Sequence, residues 1–134
     1  PTYVMTLHQM ASLFAQLASG NNIAMERIVR AMTHHPELVA GPQAFDTDLM
    51  QATQGALVSK SGAEGIQCIG RVGEGLGLAI KVLDGSKRAK SAVAVHLLRQ
   101  LGWITPDISE ALASDYMVLS QYKRLDVQGE LAFL

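Results

Sequence analysis

The sequence predicts an α+β domain in which a small antiparallel sheet is covered by helices. Three observations predict it. Apolar residues recur at spacings of 3, 4 and 7 near the start of the chain. Between residues 56 and 83 the pattern changes to short apolar runs separated by glycine turns. A long helical pattern then returns at residue 86.

Thr6 is placed to cap a first helix running to about Ser19, with Met10, Leu13, Phe14 and Leu17 on one face. Gly20-Asn21-Asn22 stops it. A second helix is predicted from Ile23 to His34, with Ile28, Val29 and Met32 inward, and Pro36 ends it. Glu37 to Phe45, containing Gly41-Pro42, reads as a loop. Asp46 or Thr47 then caps a short helix through Leu49, Met50 and Ala52, which Gly55 ends.

Ala56–Ser61, Ile66–Val72 and Leu76–Leu83 are predicted strands, with Gly73-Glu74-Gly75 turning the chain between the second and third. The third run is apolar on both faces, as a covered strand is. The strands are too apolar to face water. A covering layer must come from these helices, from another part of a longer chain or from a partner. Asp84-Gly85 leads into a helix from Ser86 to Leu101, with Val93, Leu97, Leu98 and Leu101 as its buried stripe. Pro106 starts a shorter helix from Asp107 to Ser114, and the β-leaning tail from Tyr116 to Leu134 turns at Gln128-Gly129.

Bulk properties narrow the function. Apolar residues make up 49 % of 134 and charged residues 17 %, which is a packed domain and not a disordered chain. A net charge of −1 advertises neither nucleic acid nor an anionic membrane as partner. The single cysteine, Cys68, cannot form an internal disulfide and suits a reducing compartment, so a cytoplasmic location is expected. No apolar run reaches the roughly 18 residues of a transmembrane helix. Pro1-Thr2-Tyr3-Val4 is not a signal peptide. The chain reads equally as a protein that has lost its initiator Met or as the later part of a longer one.

The residues most suggestive of chemistry are Val58-Ser59-Lys60-Ser61-Gly62-Ala63-Glu64-Gly65. A lysine, a hydroxyl residue and a glycine at a strand end line one wall of the active site in serine amidohydrolases and penicillin-recognising enzymes. Alternation sends Ser59 and Ser61 to one face and Lys60 to the other. Lys60 there is a point charge able to hold a carboxylate or to depress a neighbouring pKa. Gly62 and Gly65 let a ligand approach the backbone. Glu64 can pair with Lys60 or with a substrate ammonium group. The competing account is an ordinary strand end and glycine turn.

Other candidates have structural explanations. His34 and His35 point about 100° apart on a helix and serve its C-terminal dipole better than a metal. Asp46 and Asp48 read as capping residues. Cys68 reads as a small buried hydrophobe. His8 and His96 have no evident partner, and Lys87, Arg88 and Lys90 read as a solvated helix start. Gly73-Glu74-Gly75-Leu76-Gly77 is followed by no helix and is not a phosphate loop.

Several longer segments occur in a telling order: Pro1-Thr2-Tyr3-Val4-Met5-Thr6-Leu7, Ala31-Met32-Thr33-His34-His35-Pro36-Glu37-Leu38-Val39-Ala40-Gly41, Phe45-Asp46-Thr47-Asp48-Leu49-Met50, Lys60-Ser61-Gly62-Ala63-Glu64-Gly65, Leu76 to Gly85, and Val127-Gln128-Gly129-Glu130-Leu131. Together they resemble the C-terminal part of the bacterial L-asparaginase II family, the serine-dependent, rhizobial thermolabile type.

The resemblance implies the C-terminal part of a serine β-lactamase-like, glutaminase-like fold. It implies that residues 1–134 are a single C-terminal portion of such a domain, with the N-terminal half outside this chain. It implies hydrolysis of L-asparagine to L-aspartate and ammonia through an acyl-enzyme. A serine from Ser-x-x-Lys attacks, a lysine acts as base and backbone N–H groups hold the oxyanion. Lys60 is then the catalytic residue of this chain, and Ser61, Gly62 and Glu64 bind substrate. No cofactor is expected here, because the family's cysteine-ligated metal site would lie before Pro1 and Cys68 does not match it.

Only Ser120-Gln121-Tyr122-Lys123 has the Ser-x-x-Lys spacing, and it follows the strand motif instead of preceding it. The chain is therefore expected to be incomplete alone. Its expected partners are a small amide substrate and either further copies of itself or an N-terminal half. A glutaminase or another amidase of the same fold remains an alternative, as does a non-catalytic binding or oligomerisation domain.

Overall fold

A computed structural model describes residues 3–121 and 123–131. Pro1-Thr2 of the opening segment, Tyr122 of the Ser120–Lys123 spacing and the last three residues of the tail lie outside the described residues. The architecture is α+β: a three-strand antiparallel sheet packed against helices.

The first helix, α1, spans Leu7–Ala18. Thr6 caps it by accepting the Gln9 amide at 3.2 Å, while the Gln9 side chain accepts the Thr6 amide at 2.8 Å. Helix α2, Ile23–His34, is capped by Asn22, whose Oδ1 accepts the Ala24 amide at 2.9 Å. Its buried contact is Val29, supported by half-buried Met32. Ile28, expected inward, is 51 % exposed, because α2 lies on the outside of the fold and turns only a narrow stripe inward.

Two local expectations change. Pro36 does end α2, but it also opens helix α3, Pro36–Ala40, where a loop was predicted. A proline at a first helical position loses no hydrogen bond and has its φ already set. Helix α4, Phe45–Ala52, is preceded by Ala44 and has no side-chain cap. Thr47 instead donates its hydroxyl to the Gly41 and Pro36 carbonyls, at 2.6 and 3.1 Å, and so ties α3 to α4. Asp46 turns into the interior.

Strands β1 (Leu57–Gly62), β2 (Ile66–Arg71) and β3 (Leu76–Lys81) follow in a meander of order β1-β2-β3. The register opposes Lys60 to Cys68 and Cys68 to Ala79, and likewise Val58 to Gly70 and Gly70 to Gly77. These residues share one face, and α1 lies on it. A Cβ on Gly77 would sit 2.0 Å from the Ala11 carbonyl oxygen, and one on Gly70 would sit 2.7 Å from that of Phe14. The missing side chains are what allow the helix backbone to touch the sheet.

The other face carries Leu57, Ser59, Ser61, Gln67, Ile69 and Ile80. It packs on α4 and on α5 (Lys87–Gln100), and α6 (Pro106–Tyr116) packs on those two helices, with Ile69, Leu49 and Leu98 fully buried in one apolar cluster. Helices of the same chain therefore supply the covering layer on both faces. Ser86 caps α5, but the buried stripe is rotated from the expected one. It runs through Lys90, Ser91, Ala94, Val95 and Leu98, while Val93, Leu97 and Leu101 are half-buried.

Helix α6 is fastened to α4 by Tyr116. Its ring meets Phe45 edge-on at 5.1 Å, and its hydroxyl donates to the Asp48 carboxylate. Burial, followed by that hydrogen bond, raises the Tyr116 pKa, so the phenol stays protonated. The tail forms a short pair, β4 (Val118–Ser120) with β5 (Lys123–Arg124). His96 does have partners: its Nε2 lies 3.2 Å from the Gly129 carbonyl oxygen and 3.0 Å from Gln100 Nε2. Among the described residues no helix is long and apolar enough to cross a membrane.

The close seat of α1 is testable. Gly77→Ala forces a methyl group against main-chain atoms and is expected to cost about 3 kcal/mol in urea unfolding. Gly73→Ala is the control. Nothing lies within 4 Å of its Cβ position, so it is expected to cost only the ~1–2 kcal/mol of a left-handed residue. Equal losses would mean that α1 does not rest on Gly77.

Candidate active-site wall

Lys60 leaves β1 on the α1 face, near its end, and is exposed. Its ammonium donates to the Ser61 carbonyl at 2.8 Å. Ser59 and Ser61 point the opposite way, as strand alternation predicts. Gly62 is exposed, and the space its Cβ would take is bounded by Ile66 at 3.1 Å. Glu64 sits in the turn between β1 and β2 with φ of 56°, and its carbonyl accepts the Lys81 ammonium. Lys60 and Glu64, expected as a possible ion pair, form none among the described residues. Gly65 does not open its backbone to a ligand: it is buried against Val82 and Gly85, within about 3 Å of where its Cβ would be. The hairpin end thus holds Lys60, Ser61, Gly62 and Glu64 together, with the lysine directed outward.

Behind this wall lies a polar network that sequence reasoning assigned to a helix cap. Asp46, 1 % exposed, points from the first turn of α4 to the inner side of β1. Its Oδ1 accepts the Ser59 hydroxyl and the Gln67 side-chain amide, each at 2.6 Å. Its Oδ2 accepts the Ser61 backbone amide at 2.9 Å. Gln67 Nε2 also donates to Ser59 Oγ at 2.8 Å, while Gln67 Oε1 is buried without a partner. A charged carboxylate out of water survives only when donors replace its hydration. Burial alone pushes the Asp46 pKa up, but the hydrogen bonds from Ser59, Ser61 and Gln67 outweigh it and hold the group below its ordinary value.

Lys90, expected on a solvated face, is 7 % exposed. It lies one turn into α5 and carries no side-chain hydrogen bond or ion pair among the described residues. Burial pushes its pKa down, Asp46 partly restores it, and Lys60 and Lys87 push it down further. The same carboxylate therefore acts on both the strand end and the buried lysine. Burial, followed by the Asp46 charge, raises the Cys68 thiol pKa, which fits its expected role as a small hydrophobe. His34 donates from Nδ1 to the Arg30 carbonyl at 2.8 Å, one turn back in its own helix. Among the described residues no three His, Cys, Asp or Glu side chains converge as a metal ligand set would.

A surface groove lies away from this wall. This groove of about 640 Å³ lies between α2 and α4, lined by Arg30, Thr33, Gln51 and neighbours, and none of Lys60–Glu64 borders it. The chemistry-bearing lysine faces open surface.

The pH dependence of stability follows from Asp46. Its folded pKa lies below the ordinary 3.8, so the stability it contributes is present above that value and is lost as pH falls through the folded pKa. In urea titrations at about pH 7 and about pH 3, the gap in unfolding free energy between wild type and Asp46→Asn is expected to narrow at the acid end. A constant gap would mean that the carboxylate is not held ionised by its donors.

Comparison with known proteins identifies a family. No curated protein matches the chain. The sequence model described as L-asparaginase II matches residues 1–133, nearly the entire length. A match of that extent covers the Lys60–Gly65 hairpin, the Asp46 helix and every helix on either side of the sheet, and on it the chain belongs to the L-asparaginase II family.

Proposed function

We propose that this chain supplies the lysine-bearing wall of a site that hydrolyses L-asparagine to L-aspartate and ammonia. Family membership supports asparaginase-type amide hydrolysis. The single observation that carries the finer reading is the presentation of Lys60, Ser61 and Gly62 at an exposed strand end, braced from behind by a buried carboxylate.

In this reading Lys60 is the catalytic residue and Ser61, Gly62 and Glu64 shape the substrate side of the wall. The nucleophile is a serine of a Ser-x-x-Lys segment contributed from outside residues 1–134. Its oxygen bonds to the side-chain carbonyl carbon of asparagine as its proton passes to a lysine base. The C–N bond then breaks, with the proton delivered to the departing ammonia. Water attacks the resulting ester and returns the serine with release of aspartate. Lys60 contributes a fixed positive charge beside the nucleophile, where it holds a substrate carboxylate or favours the reactive form of a neighbour. The open surface around Lys60 fits a site completed by a second polypeptide segment. In the framework of this proposal the chain is the C-terminal portion of a β-lactamase-like domain, acting with an N-terminal half.

Combining this chain with an N-terminal half of the family and measuring ammonia release from asparagine tests the proposal. Turnover that falls at least about 10²-fold in Lys60→Ala is expected. No release from a co-folded wild-type pair would overturn it, and faster turnover of glutamine would reassign the substrate. Calorimetry distinguishes a binding module: asparagine binding without turnover, lost in Lys60→Ala, would mean a site that retains recognition and lacks the chemistry.

A further inference from the structure

We propose that Asp46 is the positioning residue of the Lys60 wall: one buried carboxylate fixes Ser59 and Ser61 on either side of Lys60 and thereby fixes where the lysine leaves the sheet. The proposal deepens the asparaginase reading and rests on it.

The sheet order is β1-β2-β3, so β1 is an edge strand with one side lacking a ladder partner. Edge backbone groups with nothing to bond are loosely held. At Ser61 the partner is not a strand but Asp46, whose Oδ2 takes the amide at 2.9 Å. Two residues earlier the Ser59 hydroxyl reaches Oδ1 of the same carboxylate at 2.6 Å. These two ties bracket Lys60 and lie on the face opposite its side chain, so they restrain its backbone without occupying its ammonium. Asp46 itself cannot swing away, because α4 carries it inward at 1 % exposure and Gln67 holds Oδ1 from the neighbouring strand.

Gln67 makes the arrangement one of a kind in orientation. Turning its amide over would set Oε1 against the carboxylate, acceptor against acceptor, so Oε1 is left buried and unpaired. An unpaired buried acceptor costs free energy, and the Asp46 charge is what holds the amide that way round. Asp46→Asn removes this constraint: the Gln67 amide can invert and accept from the new side-chain NH2. With that NH2 on the Gln67 side the remaining oxygen still faces the Ser61 amide, so the variant keeps a hydrogen-bonded interior and folds, but a neutral amide oxygen accepts more weakly than a carboxylate oxygen and the Ser61 anchor weakens.

The test uses the combined asparagine-hydrolysing pair for kinetics and this chain for amide hydrogen exchange. In Asp46→Asn, kcat is expected to fall by about tenfold to 10²-fold with KM changed by less than about threefold, as for a displaced catalytic group. Exchange at the Ser61 amide is expected to accelerate at least about tenfold, while Ile69 and Leu98 keep their protection to within about threefold. Unchanged kcat, or a loss of protection shared equally by Ser61, Ile69 and Leu98, would overturn the proposal, the second because it marks a merely structural role. If Asp46→Asn fails to fold, Ser59→Ala cuts the other tie. A several-fold fall in kcat with Ser61 protection kept is then expected, and unchanged kcat overturns the proposal. If the wild-type pair releases no ammonia, the asparaginase reading fails by itself. Ser61 exchange then decides the anchor alone: acceleration in Asp46→Asn upholds it and no change overturns it.

Discussion

A carboxylate removed from water has to be given donors, and the Asp46 carboxylate finds them on two neighbouring strands. It starts from α4, takes a hydroxyl and an amide from β1, takes a side-chain amide from β2, and exerts its charge on Lys90 of α5. Each donor is directional, so the distances between these elements are fixed more tightly than apolar packing alone would fix them. Apolar contact determines that α4 and α5 lie on this face of the sheet. The carboxylate determines how far along the sheet α4 lies.

The two faces of the sheet solve the covering problem differently. On one, glycine at Gly70 and Gly77 lets the backbone of α1 settle against the strands, and small residues of the helix, Ala11 and Ala15, meet them there. On the other, large side chains such as Ile69, Leu49 and Leu98 interdigitate, with the polar network at one end of the same face. The first face is close-packed by subtraction of side chains, the second by their interlocking. Lys60 emerges at an end of the first face that remains exposed, while its anchoring comes from the second.

Local signals in the sequence carried much of this. Capping by Thr6 and Ser86, the three strands with their turns, and the opposed directions of Lys60 and its serine neighbours depend on residues a few positions apart, and all appear as expected. What escaped was set by distant partners. Asp46 reads as a helix cap until Ser59 and Gln67, 13 and 21 residues away, are brought beside it. Lys90 reads as solvated until α5 is rolled by one position, and Ile28 reads as core until α2 is placed on the outside. A signal for the network was present. Ser59, Ser61 and Gln67 are polar, share the inward parity of a buried face, and thus call for a polar partner across from them. The exposed wall itself was legible as a motif, but its open surroundings were not, because a strand's alternation does not say what stands opposite it.

Cys68 gives the fold a built-in clock. It is the chain's single thiol, 6 % exposed, on the face that α1 covers. A thiol-modifying reagent reaches it when the helix lifts, so the rate of alkylation reports the frequency of that excursion. Because Lys60 pairs with Cys68 across the strands, the same excursion uncovers the strand position directly opposite the lysine. Chemical labelling at one sulfur atom therefore measures how often α1 leaves the face of the sheet from which Lys60 projects, without a residue of the wall being changed.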